Sequence, residues 1–292
     1  MFALDIGGTN TRYGIIDGNK QISGQASFPT PKTSDRFLDT LRSVIAAHQN
    51  EDLCIIGIPG TVNHQLGTLD RAPNIPLDAH FPLAEHLASL FSTKKFMIYN
   101  DADLIALGEY GETQPYSNEP FIVLTLGTGI GSGIIVNKKL LTGIHGYGSE
   151  AGHLIIDFSD QARVCSCGKK GCLEAYFSAK AFCEIYYNET GTTTSSAVQA
   201  IDYFKKNNPP IIETALNAFA SAIAGYINIF HPSHIRYYGG LKTIVNNNYE
   251  HISHLIDNNL FSVSFSEINF SETHLQDSAY LYGAFYAANG FR

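Results

Sequence analysis

No stretch of Lys or Arg longer than two residues occurs in this 292-residue chain, and its 19 basic side chains are outnumbered by 27 acidic ones, for a formal net charge of -8. Nucleic-acid backbones and anionic membranes are gripped by clustered cations, so neither is an expected partner. A membrane-spanning run is missing too. The most apolar helix-length segment, Ala215 to Phe230, is interrupted by Asn217, Ser221, Gly225 and Asn228 and reads as a buried helix. The N-terminus lacks the basic flank and long apolar core of a signal peptide and enters a strand at once, Phe2-Ala3-Leu4-Asp5-Ile6, so a cytoplasmic protein is the expectation. Cysteine is sparse and odd in number, five in all, which in a reducing compartment favours thiolate ligands over disulfides. No low-complexity tract or long linker occurs. The P-loop pattern Gly-x4-Gly-Lys-Ser/Thr is absent from the Gly-rich turns, which disfavours a Walker-type nucleotidase.

What is present begins with a hairpin. Phe2, Leu4 and Ile6, then Tyr13 and Ile15, alternate around the turn Gly7-Gly8-Thr9-Asn10, with Asp5 at its mouth. A third strand is predicted over Gln21 to Phe28, and a helix capped by Thr33 or Ser34 follows, with Phe37, Leu41, Val44 and Ile45 on its apolar face. Leu53 to Ile58 stops at Pro59-Gly60 and Phe96 to Tyr99 stops at Asn100-Asp101, both as buried strands do; Ala102 to Tyr110 reads as a helix. Asn100 and Asp101 thus fall between the C-terminal end of a strand and the N-terminus of a helix, where α/β proteins place their chemistry. Phe121 to Leu126 is the next strand, followed by Gly127-Thr128-Gly129-Ile130-Gly131-Ser132-Gly133 and a strand from Ile134 to Val136. At a displacement of 119 positions, Gly8, Thr9, Gly14, Ile15 and Ile16 fall on Gly127, Thr128, Gly133, Ile134 and Ile135. The opening hairpin occurs twice, which predicts two related lobes. A helix after Glu174, a strand from Ile235 to Tyr238 stopped at Gly239-Gly240, and a last helix from Ser278 to Ala288 complete the pattern, and Gly111 to Asn118 is the expected lobe boundary.

Between Glu150 and Glu174, His153, Cys165, Cys167 and Cys172 offer one imidazole and three thiols, and Gly168 and Gly171 supply pliable backbone around them. Such a set suits a closed tetrahedral zinc site. Its spacing leaves a disulfide or unrelated buried thiols open. Cys54 and Cys183 lie outside the set and read as core thiols. The two Gly-rich turns let backbone N–H groups approach phosphate oxygens, with donors added by Thr9, Asn10, Thr11 and Thr128. Two tight hairpins without a ligand are the plainer alternative, which the duplication weakens.

Asp-Ile-Gly-Gly-Thr-Asn-Thr-Arg at 5 to 12, Gly-Ile-Pro-Gly at 57 to 60, Asn-Asp-Ala at 100 to 102, Leu-Gly-Thr-Gly-Ile-Gly at 126 to 131, Glu-Ala-Gly-His at 150 to 153 and Cys-Ser-Cys-Gly-Lys-Lys-Gly-Cys-Leu-Glu at 165 to 174 together resemble the ROK family of bacterial sugar kinases, which includes glucokinases, N-acetylhexosamine kinases and fructokinase-like enzymes. Gly239-Gly240 and Asp277 to Ala284 continue the match. The resemblance implies an α/β protein of the actin-like ATPase (ribonuclease H-like) fold, two lobes with a duplicated βββα core around a central cleft. The expected division is 1–112 for a small N-terminal lobe, with the C-terminal helix 278–292 packing back on it, and 113–277 for a larger lobe with the zinc motif.

The same resemblance implies transfer of the γ-phosphoryl group of ATP, with Mg2+, to a hydroxyl of glucose, N-acetylglucosamine, N-acetylmannosamine or a close relative, and a homodimer. Asp101 is then the general base; an isolated Asp at such a junction would otherwise be a helix N-cap. Gly60, Asn74, Asn100, Asp101, Glu150, His153 and Glu174 become sugar-binding candidates. Asp5, Gly7, Gly8, Thr9, Asn10, Gly127, Thr128, Gly129, Gly239 and Gly240 become nucleotide-binding candidates. Zn2+ on His153, Cys165, Cys167 and Cys172 would hold the pocket wall. The chain departs from the family at Asn10, where many members carry Lys, and at Leu241, where a third glycine is common. The alternative is a sugar-sensing regulator of the same family; those carry a DNA-binding segment ahead of the first Gly-rich turn, and only four residues precede Asp5 here.

Overall fold

The computed structural model describes residues 1–113 and 117–290. Strand β1 (Phe2–Ile6) is buried throughout, and the Gly-rich turn sends the chain back antiparallel as β2 (Asn10–Ile16), with Phe2 opposite Ile15 and Ile6 opposite Thr11. β3 (Ile22–Pro29) extends the meander one residue later than its pattern predicts. Helix α1 (Ser34–Ala47) buries Phe37, Leu41 and Ile45, one stripe at helical spacing; Thr33 stands at its N-cap without a side-chain capping bond. β4 (Leu53–Ile58) joins β1 in parallel. A small hairpin of β5 (Thr61–Asn63) and β6 (Thr68–Arg71) and a helix α2 (Leu83–Leu90) follow, none of which the periodicity disclosed. β7 (Lys95–Asn100) then completes a sheet of order β3-β2-β1-β4-β7, and α3 (Asp101–Thr113) leaves it directly.

The second sheet repeats this order. β8 (Phe121–Leu126), β9 (Ile130–Val136) and β10 (Lys139–Leu140) form its meander, and β11 (His234–Tyr238) and β12 (Asn269–Glu272) its parallel half, in the order β10-β9-β8-β11-β12. The duplication seen in the sequence is therefore a duplication of topology. The second copy departs from βββα: after β10 comes the long excursion holding the Cys motif, and only then α4 (Ala179–Thr190), α5 (Ala197–Asn207) and α6 (Pro209–Phe230). α7 (Lys242–Asn247) and α8 (Tyr249–Asp257) separate β11 from β12, and α9 (Ala279–Ala288) closes the described chain.

Two compact units result, Met1–Asn118 with Gly133–Ser149 and His274–Arg292, and Glu119–Ser132 with Glu150–Thr273. The expected boundary 111–118 includes residues 114–116, and the expected last helix includes 291–292; these five lie outside the described residues. In the first unit, α3 and α9 cross with backbones in contact. A Cβ at Gly108 would stand 2.2 Å from the Ala279 carbonyl oxygen, and one at Gly283 would stand 1.8 Å from that of Leu104. Beside the crossing, the buried Glu109 carboxylate accepts the N–H groups of His274 (3.0 Å) and Leu275 (2.7 Å).

In the second unit, α6 is long and apolar enough to cross a membrane by length and composition, contrary to the sequence expectation, because the helix begins at Pro209. Burial shows what its apolar surface serves: 61% of the apolar window is covered within the unit, and Phe219 stacks on Phe177 at 4.3 Å.

Candidate functional site

The first unit holds the turn Gly7 to Asn10 as a tight loop. Gly7 N–H donates to the Asn10 carbonyl (2.9 Å), Thr30 N–H to the Thr9 carbonyl (2.8 Å), and the Thr30 hydroxyl to the Gly7 carbonyl (2.7 Å). The Lys32 ammonium donates to the Gly8 carbonyl. At the turn's mouth, Asp5 is buried and bonded to Arg12 through Nε (3.1 Å) and Nη2 (2.5 Å), while Arg12 Nη1 reaches Asp277 at 2.6 Å. Burial pushes the Asp5 carboxyl above its ordinary value, with Arg12 pulling the other way. Asn74, expected on the sugar side, lies beside Gly8: a Cβ there would be 3.3 Å from that of Asn74.

At the junction of β7 and α3, Asn100 does the capping. Its Oδ1 accepts the N–H groups of Ala102 (2.9 Å) and Asp103 (3.2 Å), and its Nδ2 donates to the Gly60 carbonyl (2.9 Å). Asp101 is consequently the first helical residue, its Oδ1 2.9 Å from Ala102 N, and the helix N-terminus favours its negative charge. Gly60 is fixed by its conformation, φ +119°, and by the Arg71 carbonyl oxygen 2.2 Å from where a Cβ would stand. His64 stacks on Tyr99 at 5.8 Å, and burial lowers its imidazole pKa. The β5–β6 hairpin is tied to the loop before Glu150: the Asp70 carboxylate accepts from Tyr147 Oη (2.5 Å), Thr68 Oγ1 (2.8 Å) and His80 Nδ1 (3.2 Å). Nothing in the sequence pattern marked Lys32, His64 or this Asp70 group, because partners so distant along the chain leave no spacing signal.

The second unit brings together Gly127, Thr128 and Gly129, the pair Gly239-Gly240, and the Cys motif. Leu241 N–H donates to the Leu126 carbonyl at 3.1 Å, holding the Gly239-Gly240 turn at the end of β8. Gly127 N–H donates to the Gly129 carbonyl (3.0 Å), and the first N–H groups of α4, from Ala179 (2.9 Å) and Lys180 (3.2 Å), donate to the carbonyls of Gly127 and Thr128. Thr128 itself is exposed. Glu150 to His153 is anchored by Ala151, whose N–H donates to Ser132 Oγ (3.0 Å) and whose carbonyl accepts Tyr226 Oη (2.6 Å). Glu150 reaches solvent, yet the surrounding protein raises its carboxyl pKa by desolvation; His153 lowers it and like-charged Glu174 adds to the rise. The Glu174 carboxylate is already engaged. Oε2 accepts Ile130 N–H (3.0 Å), and Oε1 accepts Ser166 Oγ (2.5 Å) and Cys165 Sγ (3.6 Å).

The ligand atoms of His153, Cys165, Cys167 and Cys172 all lie within 4.8 Å of one another. All five cysteines are free, and the Cys167 and Cys172 sulfurs stand 3.7 Å apart, far beyond a disulfide bond of about 2.05 Å. That separation suits a metal. Tetrahedral zinc with Zn–S of ~2.3 Å and Zn–N of ~2.05 Å requires S–S edges of about 3.8 Å and N–S edges of about 3.6 Å. His153 Nδ1 is 3.6 Å from Cys165 Sγ, the length of such an N–S edge. Burial pushes the Cys172 thiol up to about 12, so a cation is what would stabilise its thiolate. Cys54 is a core thiol as expected, whereas Cys183 is only half-buried.

The ROK family model matches residues 1–290. The chain belongs to the ROK family. Among ROK relatives, it is 29% identical over 264 residues to a glucokinase of Thermotoga maritima, covering 83% of this chain and 82% of that protein. It is 30% identical over 230 residues to an N-acetylmannosamine kinase of Pasteurella multocida, covering 77% and 76%. A ROK hexokinase structure from Thermus thermophilus superposes with a TM-score of 0.82 at 24% identity, covering 99% of each chain. The expected actin-like ATPase fold is therefore the fold of this ROK chain.

Proposed function

We propose that this ROK protein is an ATP-dependent kinase that transfers the γ-phosphoryl group of Mg-ATP to a hydroxyl of a hexose or N-acetylhexosamine, glucose, N-acetylglucosamine and N-acetylmannosamine being the leading substrates. The observation that carries this reading is the pair of Gly-rich turns at equivalent places in two sheets of one strand order, between β1 and β2 and between β8 and β9. Phosphoryl transfer asks mainly for positioned donors around the phosphates and a carboxylate to receive the acceptor's proton.

Asp101 would take that proton. In the first unit, Asn100 fixes the start of α3 and so the direction of Asp101, and Gly60 and Asn74 are the further sugar candidates. In the second unit, Glu150, His153 and Glu174 are candidates for hydroxyl groups, which both donate and accept. Asp5 and Thr128 would face metal-bound phosphate oxygens, Gly7 to Asn10 and Gly127 to Gly129 would offer backbone donors, and Gly239-Gly240 would leave room for adenosine. His153, Cys165, Cys167 and Cys172 would hold Zn2+, which closes the loop structurally and takes no part in the transfer. Two lobes divided at 112/113, with residues from 278 returning to the first, and a homodimer belong to the same proposal; light scattering tests the dimer.

An ADP-release screen over hexoses and N-acetylhexosamines tests the reading. Sugar-dependent release with Mg-ATP is expected. No release with any sugar, or binding of operator DNA by this chain, would transfer support to the regulator.

A further inference from the structure

The segment from Cys172 to Lys180 leaves the metal-ligand group and runs straight to the second Gly-rich turn, touching it at both ends. At one end, Glu174 Oε2 accepts the N–H of Ile130 at 3.0 Å, and its carboxylate fills the space beside Gly129, where a Cβ would stand 2.3 Å from Oε2. The other oxygen accepts Ser166 Oγ at 2.5 Å and faces Cys165 Sγ at 3.6 Å, so the same carboxylate grips the Cys loop. At the other end, Ser178 caps α4 by accepting Ala181 N–H (3.0 Å), which directs the N–H groups of Ala179 and Lys180 onto the carbonyls of Gly127 and Thr128. With both flanks held, the turn has few ways to relax on its own.

We infer that Glu174, with Ser166 behind it, is a positioning residue that ties the shape of the Gly127–Gly129 turn to the folding of the metal loop, so that the metal group governs phosphate binding in this unit. The four ligand side chains define where Ser166 and Glu174 sit; Glu174 in turn defines where the Ile130 N–H and the Gly129 backbone sit. Loss of the metal frees Cys165, Cys167 and Cys172 to separate, and the strap then loses its anchor. The nucleotide half of this inference rests on the turn being a phosphate turn, whereas the mechanical half does not.

The experiment therefore has two readouts on the full-length chain: hydrogen exchange at the Ile130 amide, and the Kd for Mg-ATP by calorimetry. Wild type, chelator-treated wild type, Ser166→Ala and Glu174→Ala are compared, with metal content measured for each. Ser166→Ala is the mild variant, since Ser166 is no metal ligand, and covers the case in which metal removal unfolds the unit. Ser166→Ala is expected to keep its metal, exchange the Ile130 amide faster and bind Mg-ATP roughly three- to tenfold more weakly, because only part of the worth of the lost charge-assisted hydrogen bond is passed on to the turn. Glu174→Ala should show the larger effect, and stripping its metal should weaken Mg-ATP binding no further, because the link is already cut. Unchanged Ile130 exchange in Ser166→Ala and in folded, metal-free protein would overturn the strap. So would Glu174→Ala and metal removal multiplying as independent effects. If the amide responds but wild type binds no Mg-ATP, the strap stands and the phosphate reading of the turn fails.

Discussion

At the scale of single residues, the capping that the sequence offered to Asp101 falls to its neighbour Asn100, and Asp101 keeps the proposed role of general base. Asn100 caps α3 and ties Gly60, which leaves Asp101 one position further on, at the positive end of the helix. Asp101→Asn should therefore lower kcat by about 10²- to 10⁴-fold, the usual worth of a general base, while the KM for sugar changes little. Steady-state kinetics of the purified variant checks this. Lys32 makes a second prediction. Its ammonium rests on the Gly8 carbonyl, whereas Arg12 is engaged with Asp5 and Asp277, so under the proposed function Lys32 would be a cation for phosphate at the first turn. Lys32→Ala is expected to raise the KM for ATP several-fold with kcat nearly unchanged, and Lys32→Arg to restore it; a KM equal to wild type in Lys32→Ala would remove Lys32 from the site. These partners were illegible beforehand for a physical reason. The Asn-Asp junction is local and shows in the change from strand to helix pattern, but Lys32 meets Gly8 and Glu174 meets Ile130 only after the chain has folded.

At the scale of elements, the strands with clean apolar runs were readable, and Phe121–Leu126 and Leu53–Ile58 stand where their patterns put them. β12 was not, because Asn-Phe-Ser-Glu carries a single buried apolar residue, and the β5–β6 hairpin was not, because its strands have three and four residues. Their pairing comes from tertiary neighbours rather than from propensity. The α3–α9 crossing depends on two glycines facing carbonyl oxygens that cannot move aside. Gly283→Ala should cost about 3 kcal/mol or more by overpacking, seen as a lowered denaturant midpoint, whereas Gly127→Ala, with nothing within 4 Å of its Cβ, should leave that midpoint in place. The Asp70 group predicts a pH dependence. Desolvation opposes its ionisation, but bonds from Tyr147, Thr68 and His80 outweigh it and hold the carboxyl below its ordinary value. The stability it contributes is then present above the unfolded carboxylate value of about 3.9 and lost as pH falls through the folded value. Asp70→Asn should melt below wild type at pH 7, and the gap should close on acidification below about pH 4.

At the scale of the whole molecule, one topology used twice gives each five-stranded sheet its own Gly-rich turn, between β1 and β2 and between β8 and β9. That repeat was legible because Gly and Thr recur at fixed displacement; the order of strands around it was not, since parallel partners come from distant segments. The His-Cys group was legible as a set of residue types, and its cysteines are free, with the Cys167 and Cys172 sulfurs 3.7 Å apart. Purified protein should accordingly carry one equivalent of zinc, readable by metal analysis. The most direct test of the central claim follows the radiolabelled γ-phosphoryl group of Mg-ATP in the presence of glucose, N-acetylglucosamine or N-acetylmannosamine. Label should appear on at least one of these sugars with wild type and fall by at least about 10²-fold with Asp101→Asn. Label that reaches none of the sugars, or reaches them equally with both proteins, would contradict the account.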